Sequence, residues 1–172
     1  MKFALMHRVA VAVASVVGVT VLAGCANNQA PVMSAAPTAP MKVNVSTPTL
    51  AAGYVKVTAT PGSALYIANL KNGDTVNSPV LIQFGLRGMG VAPAGIEKAG
   101  TGHHHLLVDV AELDVNAPIP TSDQHRHFGL GQTEVTLEMK AGQHTLQLLM
   151  GDQNHIPHHP VVMSERITIT VK

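Results

Sequence analysis

The chain has few aromatic side chains. Its 172 residues include no tryptophan, two tyrosines and three phenylalanines, and one of the phenylalanines, Phe3, lies close to the N-terminus. This scarcity argues against an aromatic stacking platform of the kind that binds sugars or nucleic-acid bases. The core of a folded domain must therefore consist mainly of valine, leucine, isoleucine and methionine.

Cysteine and charge are also scarce. Cys25 is the only cysteine, which excludes an intramolecular disulfide and argues against a thiolate metal site. Without Lys2 and Arg8, which lie in a segment that we expect to be removed, nine basic residues face ten acidic ones, a net charge of −1 with neutral histidines. The chain has no basic stripe of the kind that nucleic-acid binding needs, so we expect no nucleic-acid partner.

The first 24 residues predict a lipoprotein signal peptide. Two basic residues precede an apolar run at residues 9–21, which has the length of a signal-peptide core. The run is too short for a comfortable membrane span, which needs about 20 apolar residues. It ends in Leu22-Ala23-Gly24-Cys25, which resembles the bacterial lipobox, where cleavage occurs before the cysteine and the cysteine carries the lipid. We therefore expect lipidation at Cys25.

Residues 25–51 predict the lipidated cysteine and a flexible linker. The segment is rich in alanine, proline, serine, threonine and asparagine, and it cannot bury enough apolar surface to offset the entropy of ordering. Ala26 occupies the position at which an aspartate would resemble an inner-membrane retention signal, which favours the outer membrane. We expect a lipid-anchored protein that faces the periplasm, with the membrane as partner and no protein partner identifiable.

Residues 52–172 are predicted to form one all-β domain. Period-two alternation of apolar residues predicts strands, and no segment has the pattern of an amphipathic helix. The predicted strands are Tyr54–Ala59, Ala64–Leu70, Val80–Arg87, His104–Val110, Thr133–Met139, Gln143–Met150 and Glu165–Val171. Their length and spacing predict a single small antiparallel β-sandwich, immunoglobulin-like in architecture, after the signal peptide and a disordered tether.

Histidine is concentrated in this domain, because nine of the ten histidines lie between Gly102 and Pro160. Histidine is the commonest side-chain metal ligand, and residues two apart on a strand share a face. The candidate metal ligands are His103, His105, His125, His127, His155, His158 and Asp152. They come from three places: the fourth predicted strand, the loop that follows it, and the loop before the last strand.

Strand direction predicts that these groups meet. If the fourth and sixth predicted strands are antiparallel, His103 at the start of one lies beside Asp152 at the end of the other. The loop with His125 and His127 must then fold over the same end. Asp152 could ligate a metal, accept the ring N–H of a ligating histidine, or cap its turn. His144, on the inward face of the sixth strand, is interpreted as a hydrogen-bonded core histidine.

Several stretches carry a family resemblance. They are Lys71–Val76, Gly88–Gly95, Thr101–Leu107, His127–Glu134 and His144–Asp152 with His155–His158. Together they resemble the bacterial domain-of-unknown-function family numbered 4399, over Asn69–Lys172. The resemblance implies a periplasmic or lipid-anchored β-domain with no established activity, so a function has to be argued from the residues.

The residues favour a binding module. A lipid-anchored β-domain with clustered imidazoles would hold a divalent transition metal, copper or zinc, for buffering, delivery or sensing. One alternative is a structural or interaction protein whose histidines form a hydrogen-bond network without metal. Another is a metal-dependent enzyme of unknown substrate. The chain has no His-Glu-x-x-His motif, serine-centred elbow or phosphate-binding loop, so enzymatic activity has no motif in its favour.

The lipobox yields the first testable prediction. Cys25→Ala removes the atom that would carry the lipid, so the precursor should accumulate unprocessed and take up no labelled fatty acid. Metabolic labelling and membrane fractionation measure both. Normal maturation and membrane partition of the variant would contradict the prediction.

Overall fold

The computed structural model describes residues 53–172. The predicted signal peptide, Cys25 and the predicted linker lie outside the described residues. Residues 53–172 contain nine β-strands and no helix, so this part of the chain has no helix long and apolar enough to cross a membrane. The prediction of an all-β fold is confirmed.

The strands form two sheets. In chain order they are β1 (Ala64–Ile67), β2 (Thr75–Val76), β3 (Val80–Arg87), β4 (Gly90–Val91), β5 (Thr101–Val108), β6 (His125–Phe128), β7 (Glu134–Leu137), β8 (Gly142–Gly151) and β9 (Ile167–Val171). The smaller sheet has the order β1-β3-β7, and the larger has the order β2-β9-β8-β5-β4, with β6 also paired to β5. The pairing is antiparallel except for two short parallel pairs, β2 with β9 and β4 with β5.

The main hydrophobic core involves both sheets. Alternate residues of β3 are buried, namely Val80, Ile82 and Phe84. The larger sheet contributes buried residues from β5, β6, β8 and β9, among them Leu106 and Leu148. Complete burial of one such aliphatic side chain stabilises the fold by roughly 1.5–3 kcal/mol, so this core supplies much of the driving force for folding.

The larger sheet is also buried on its other face. On β5, His103, His105 and Leu107 point away from the main core, because Leu106 between them faces it. The buried loop residues Ala92, Ala117, Ile119 and Ile156 are not part of the main core cluster. Because β5 is buried on both faces, side chains on the face opposite the main core are also shielded from water.

The predicted strands agree with the structure to different degrees. β3 has the predicted bounds, Val80–Arg87, and five other predicted strands are present with shifted ends. The predicted strand Tyr54–Ala59 is wrong, because that segment forms only one isolated bridge, between Thr58 and His159. The short strands β2, β4 and β6 were not predicted, and β6 matters most because it carries two of the candidate ligands.

The core yields a stability prediction. Leu148 is fully buried, so Leu148→Ala removes apolar contacts and leaves a cavity. Such changes cost about 2–5 kcal/mol of unfolding free energy, which urea titration measures. The control is Leu130→Ala, at a side chain that is 84% exposed, which should cost less than about 0.5 kcal/mol. Equal losses in the two variants would contradict this assignment of the core.

Candidate metal centre

Strand pairing brings three of the candidate ligands together. β5 pairs antiparallel with β8, with His103 opposite Gly151, so the condition on which the predicted meeting depended is met. On its other side β5 pairs with β6, with His105 opposite His127. The loop that was expected to fold over this end therefore contains a short strand of the sheet, β6. Residues opposite one another share a face, so His103, His105 and His127 lie on the same side.

A fourth imidazole, from His155, completes a cluster that we call the four-histidine cluster. The ring centres of His103, His105, His127 and His155 lie 4.7 to 5.9 Å apart in all six pairs. The Nε2 atoms of His103 and His105 are 3.0 Å apart, and those of His127 and His155 are 3.1 Å apart. Two pairs of rings therefore meet through nitrogen atoms.

The turn after β8 holds His155 in place. His155 has a φ of 65°, a left-handed conformation that a few histidines adopt where the surroundings hold them. Its N–H donates to the carbonyl of Asp152 (2.9 Å), and its own carbonyl accepts the N–H of Ile119 (2.8 Å). One carboxylate oxygen of Asp152 also accepts the N–H groups of Asn154 (2.8 Å) and Ile156 (3.0 Å). Asp152 thus acts as the cap of this turn.

Two glycines leave room for the rings. A Cβ atom on Gly151 would lie 2.9 Å from Nε2 of His105. A Cβ atom on Gly129 would overlap the ring of His127. Neither position accepts a larger residue without moving an imidazole, so the lack of a side chain at both is part of the site.

Burial keeps the inner imidazoles neutral. His103 and His105 are both 0% exposed. Burial, reinforced by the neighbouring imidazoles, lowers the pKa of His103 to about 4 and that of His105 to about 2. Burial and His155 also lower the pKa of His127. At neutral pH the rings of His103 and His105 are uncharged, which is the form that a metal ion binds.

The inner rings also have unpaired polar atoms. Among residues 53–172, Nδ1 of His103 and Nδ1 of His105 are buried without a hydrogen-bond partner. An unpaired buried polar group costs about 1–3 kcal/mol. Nε2 of His104 and Nδ1 of His158, outside the cluster, are also buried without a partner among the same residues, so the unpaired atoms alone do not distinguish the cluster.

The spacing of the cluster fits coordination of one ion. Nitrogen ligands lie about 2.0–2.1 Å from zinc in a tetrahedral site, which places neighbouring nitrogens about 3.4 Å apart and ring centres about 5.2 Å apart. The observed ring centres, at 4.7–5.9 Å, lie around that value. One ring nitrogen from each of His103, His105 and His127 lies within 4.8 Å of the others, so these three side chains form a group that could hold one ion. His155 lies outside that group of three, and its Nε2 is 3.1 Å from Nε2 of His127.

The part of the chain that carries this cluster matches a known protein family. The family described as domain of unknown function DUF4399 matches residues 82–172. The chain belongs to this family. The matched range includes all members of the four-histidine cluster, whereas the Lys71–Val76 stretch lies before it. No curated protein and no solved structure matches the chain. Membership of the DUF4399 family supports the predicted resemblance and assigns no activity.

The other three predicted ligands of this DUF4399 domain do not join the four rings. His125 points its Nδ1 at the hydroxyl of Ser122, at 3.0 Å. His158 is fully buried, and its Nε2 lies 3.1 Å from the carbonyl oxygen of Thr101. Asp152 uses one oxygen to cap its turn and the other to accept the hydroxyl of Tyr54 at 2.5 Å. Of the three roles considered for Asp152, turn capping is the one that the structure contains.

Two further histidines lie outside the cluster. His104 faces the main core, where its ring packs 5.2 Å from that of Phe84 and its Nδ1 lies 3.2 Å from the carbonyl oxygen of Gln132. His144 is hydrogen-bonded as expected, to Asp109 (2.7 Å) and to the carbonyl of Lys140 (2.9 Å), but it is only half-buried. The hydrogen bond that His144 donates to the Asp109 carboxylate raises the pKa of His144, opposite to the shift in the cluster.

Sequence reasoning missed the supporting residues of the site. Tyr54, which donates to Asp152, lies 98 positions away along the chain. No local pattern marks Tyr54, Gly129 or Gly151, because their roles depend on contacts that only the folded chain creates. A glycine directly opposite a predicted ligand on a paired strand is the one signal that could have identified Gly151.

The shifted pKa values predict a pH dependence for the metal-free domain. In the unfolded chain His103 and His105 titrate near pH 6.5, whereas burial lowers their folded pKa to about 4 and about 2. Below pH 6.5 the unfolded chain binds protons that the folded chain does not. Stability is therefore fully present above pH 6.5 and is lost as the pH falls toward 4, by up to about 1.4 kcal/mol per pH unit for each imidazole.

Urea unfolding of the chelator-treated domain between pH 4 and pH 7.5 measures this slope. His105→Gln should reduce it by about 1.4 kcal/mol per pH unit, because one buried imidazole is gone. His125→Gln is the matched control on the neighbouring strand and should reduce it much less. A slope that His105→Gln leaves unchanged would contradict the assignment of His105 as a buried neutral ring.

Proposed function

We propose that this protein binds one divalent transition-metal ion, copper or zinc, through the four-histidine cluster. The domain would buffer, deliver or sense the metal. The observation that carries the proposal is the mutual spacing of four imidazoles, with all six ring-centre distances between 4.7 and 5.9 Å. Four rings packed for hydrophobic burial alone would have no reason to place their nitrogens against each other in pairs.

The chemistry of the donors supports a transition metal. All four donors are imidazoles, which suit zinc, copper and nickel, while the hard cations calcium and magnesium prefer oxygen. Burial keeps His103 and His105 neutral, so a metal does not have to displace protons from them near pH 7. His127 and His155 are half-buried, so the metal would enter and leave on their side of the cluster.

The setting of the domain is part of the proposal. A signal peptide that ends at a lipobox would place the protein on the outer membrane, anchored by a lipid on Cys25 and facing the periplasm. Residues 25–51 would act as the linker between anchor and domain. In that compartment a metal-binding domain meets incoming copper or zinc before the cytoplasm does.

A structural role for the histidines is the competing interpretation, and it has one observation in its favour. The Nε2 atoms within each ring pair are at hydrogen-bonding distance, 3.0 and 3.1 Å. A neutral imidazole can donate to another, so two ring–ring hydrogen bonds would satisfy four nitrogens. The approach of three ring nitrogens, one each from His103, His105 and His127, to within 4.8 Å of one another favours the metal, because pairwise hydrogen bonds do not require three nitrogens to converge.

Metal-linked stability tests the proposal. Zinc or copper at a hundredfold excess over the dissociation constant should raise the unfolding free energy of the tag-free domain by about 2.7 kcal/mol. Stoichiometry by elemental analysis should give one ion per chain. His127→Ala removes one of the clustered rings, so most of the gain should disappear.

Matched controls separate ligands from neighbours. His125→Ala changes the same strand two residues away and should keep the metal-induced gain, since His125 bonds to Ser122 instead. His155→Ala removes one of four rings and should lose part of the gain, whereas His158→Ala should keep all of it. If wild-type protein takes up no metal, or if His125→Ala and His127→Ala behave alike, the proposal fails and the structural interpretation replaces it.

A further inference from the structure

The ligands of the four-histidine cluster differ in how firmly the fold holds them. His103, His105 and His127 lie on paired strands, β5 and β6. His155 lies on the turn that follows β8, outside any strand. Strand residues are held by the hydrogen bonds of the sheet, whereas turns belong to the parts of a fold that open most readily. His155 is therefore the ligand whose position can change.

The position of His155 depends on Asp152. This carboxylate is 0% exposed, and it caps the turn through the N–H groups of Asn154 and Ile156. Both of those donors belong to the turn itself. The third donor, the hydroxyl of Tyr54, comes from a distant part of the chain and reaches the second carboxylate oxygen at 2.5 Å. Tyr54 thus ties the turn to a separate element.

The segment that contains Tyr54 runs along the loops around the cluster. We call residues 54–59 the N-terminal strap. The N–H of His159 donates to the carbonyl of Val57, and the carbonyl of His159 accepts the N–H of Ala59, both at 2.9 Å. Nζ of Lys56 donates to the carbonyl of Val115 at 2.6 Å. The strap is thus hydrogen-bonded to the loops before β6 and after β8, and its first side chain ends on Asp152.

We propose that Tyr54 is a positioning residue that sets how fast the site releases metal. By holding the Asp152 carboxylate, Tyr54 keeps the turn closed and His155 against the other three rings. Loss of the hydroxyl lets the turn open and the fourth ligand leave, while the three strand ligands stay in place. This inference rests on the proposed metal-binding function, and it adds a release step that the cluster alone does not contain.

The test uses Tyr54→Phe, which removes the hydroxyl and keeps the ring. Full-length mature protein is loaded with zinc, and transfer of zinc to an excess of a chromogenic chelator is followed by stopped flow. The dissociation rate constant of zinc should rise about tenfold, and the association rate constant should change by less than about threefold. Loss of a contact that holds the bound state acts mainly on the dissociation rate. Tyr66→Phe is the control, since Tyr66 is 43% exposed on β1 and stacks beside Arg87.

A double-variant cycle shows whether Tyr54 acts through His155. In the His155→Ala background the fourth ligand is already absent, so Tyr54→Phe should add no further increase in the release rate. A general loss of stability would instead accelerate release in both backgrounds. That result, or an unchanged rate in Tyr54→Phe alone, overturns the positioning role while wild-type zinc binding still supports the proposed function. Failure of wild-type protein to bind zinc overturns both.

Discussion

The register between β5 and its two neighbours is the constraint on which the site depends. His105 lies opposite His127, and His103 lies opposite Gly151. A slip of one residue would turn His103 and His105 into the main core and bring His104 to the outer face. The register is held because Leu106, next to these histidines, is fully buried in that core. The packing that stabilises the sandwich therefore also orients the imidazoles.

Burial of the four-histidine cluster lowers the free energy of unfolding. Burial of His103 and His105 keeps their imidazoles neutral at physiological pH, but it leaves their Nδ1 atoms without partners. The fold offsets this cost elsewhere, through a core that involves both sheets and through the hydrogen bonds that cap the turn at Asp152.

Much of the fold was predictable because apolar and polar residues alternate along a strand that has one buried face. β3 follows its apolar alternation over Val80–Arg87 and has the predicted bounds. The strand Tyr54–Ala59 was predicted from equally good alternation, but the segment lies along a loop and lacks a neighbouring strand to pair with. β6 was missed because the sequence His125–Phe128 has no apolar alternation, and its partner β5 supplies the pairing. Clustering of histidines in the sequence predicted the site, but not which of them would meet.

X-ray absorption at the metal edge tests the central claim most directly, because it counts and identifies the donors around the ion. The metal-loaded, tag-free domain should show four nitrogen donors at about 2.0–2.1 Å, with the outer-shell scattering of imidazole rings and no sulfur. His127→Ala should lower the imidazole count by one, and His125→Ala should leave it at four. A spectrum with one or two imidazoles and mainly oxygen donors would contradict the claim that the four-histidine cluster surrounds one ion.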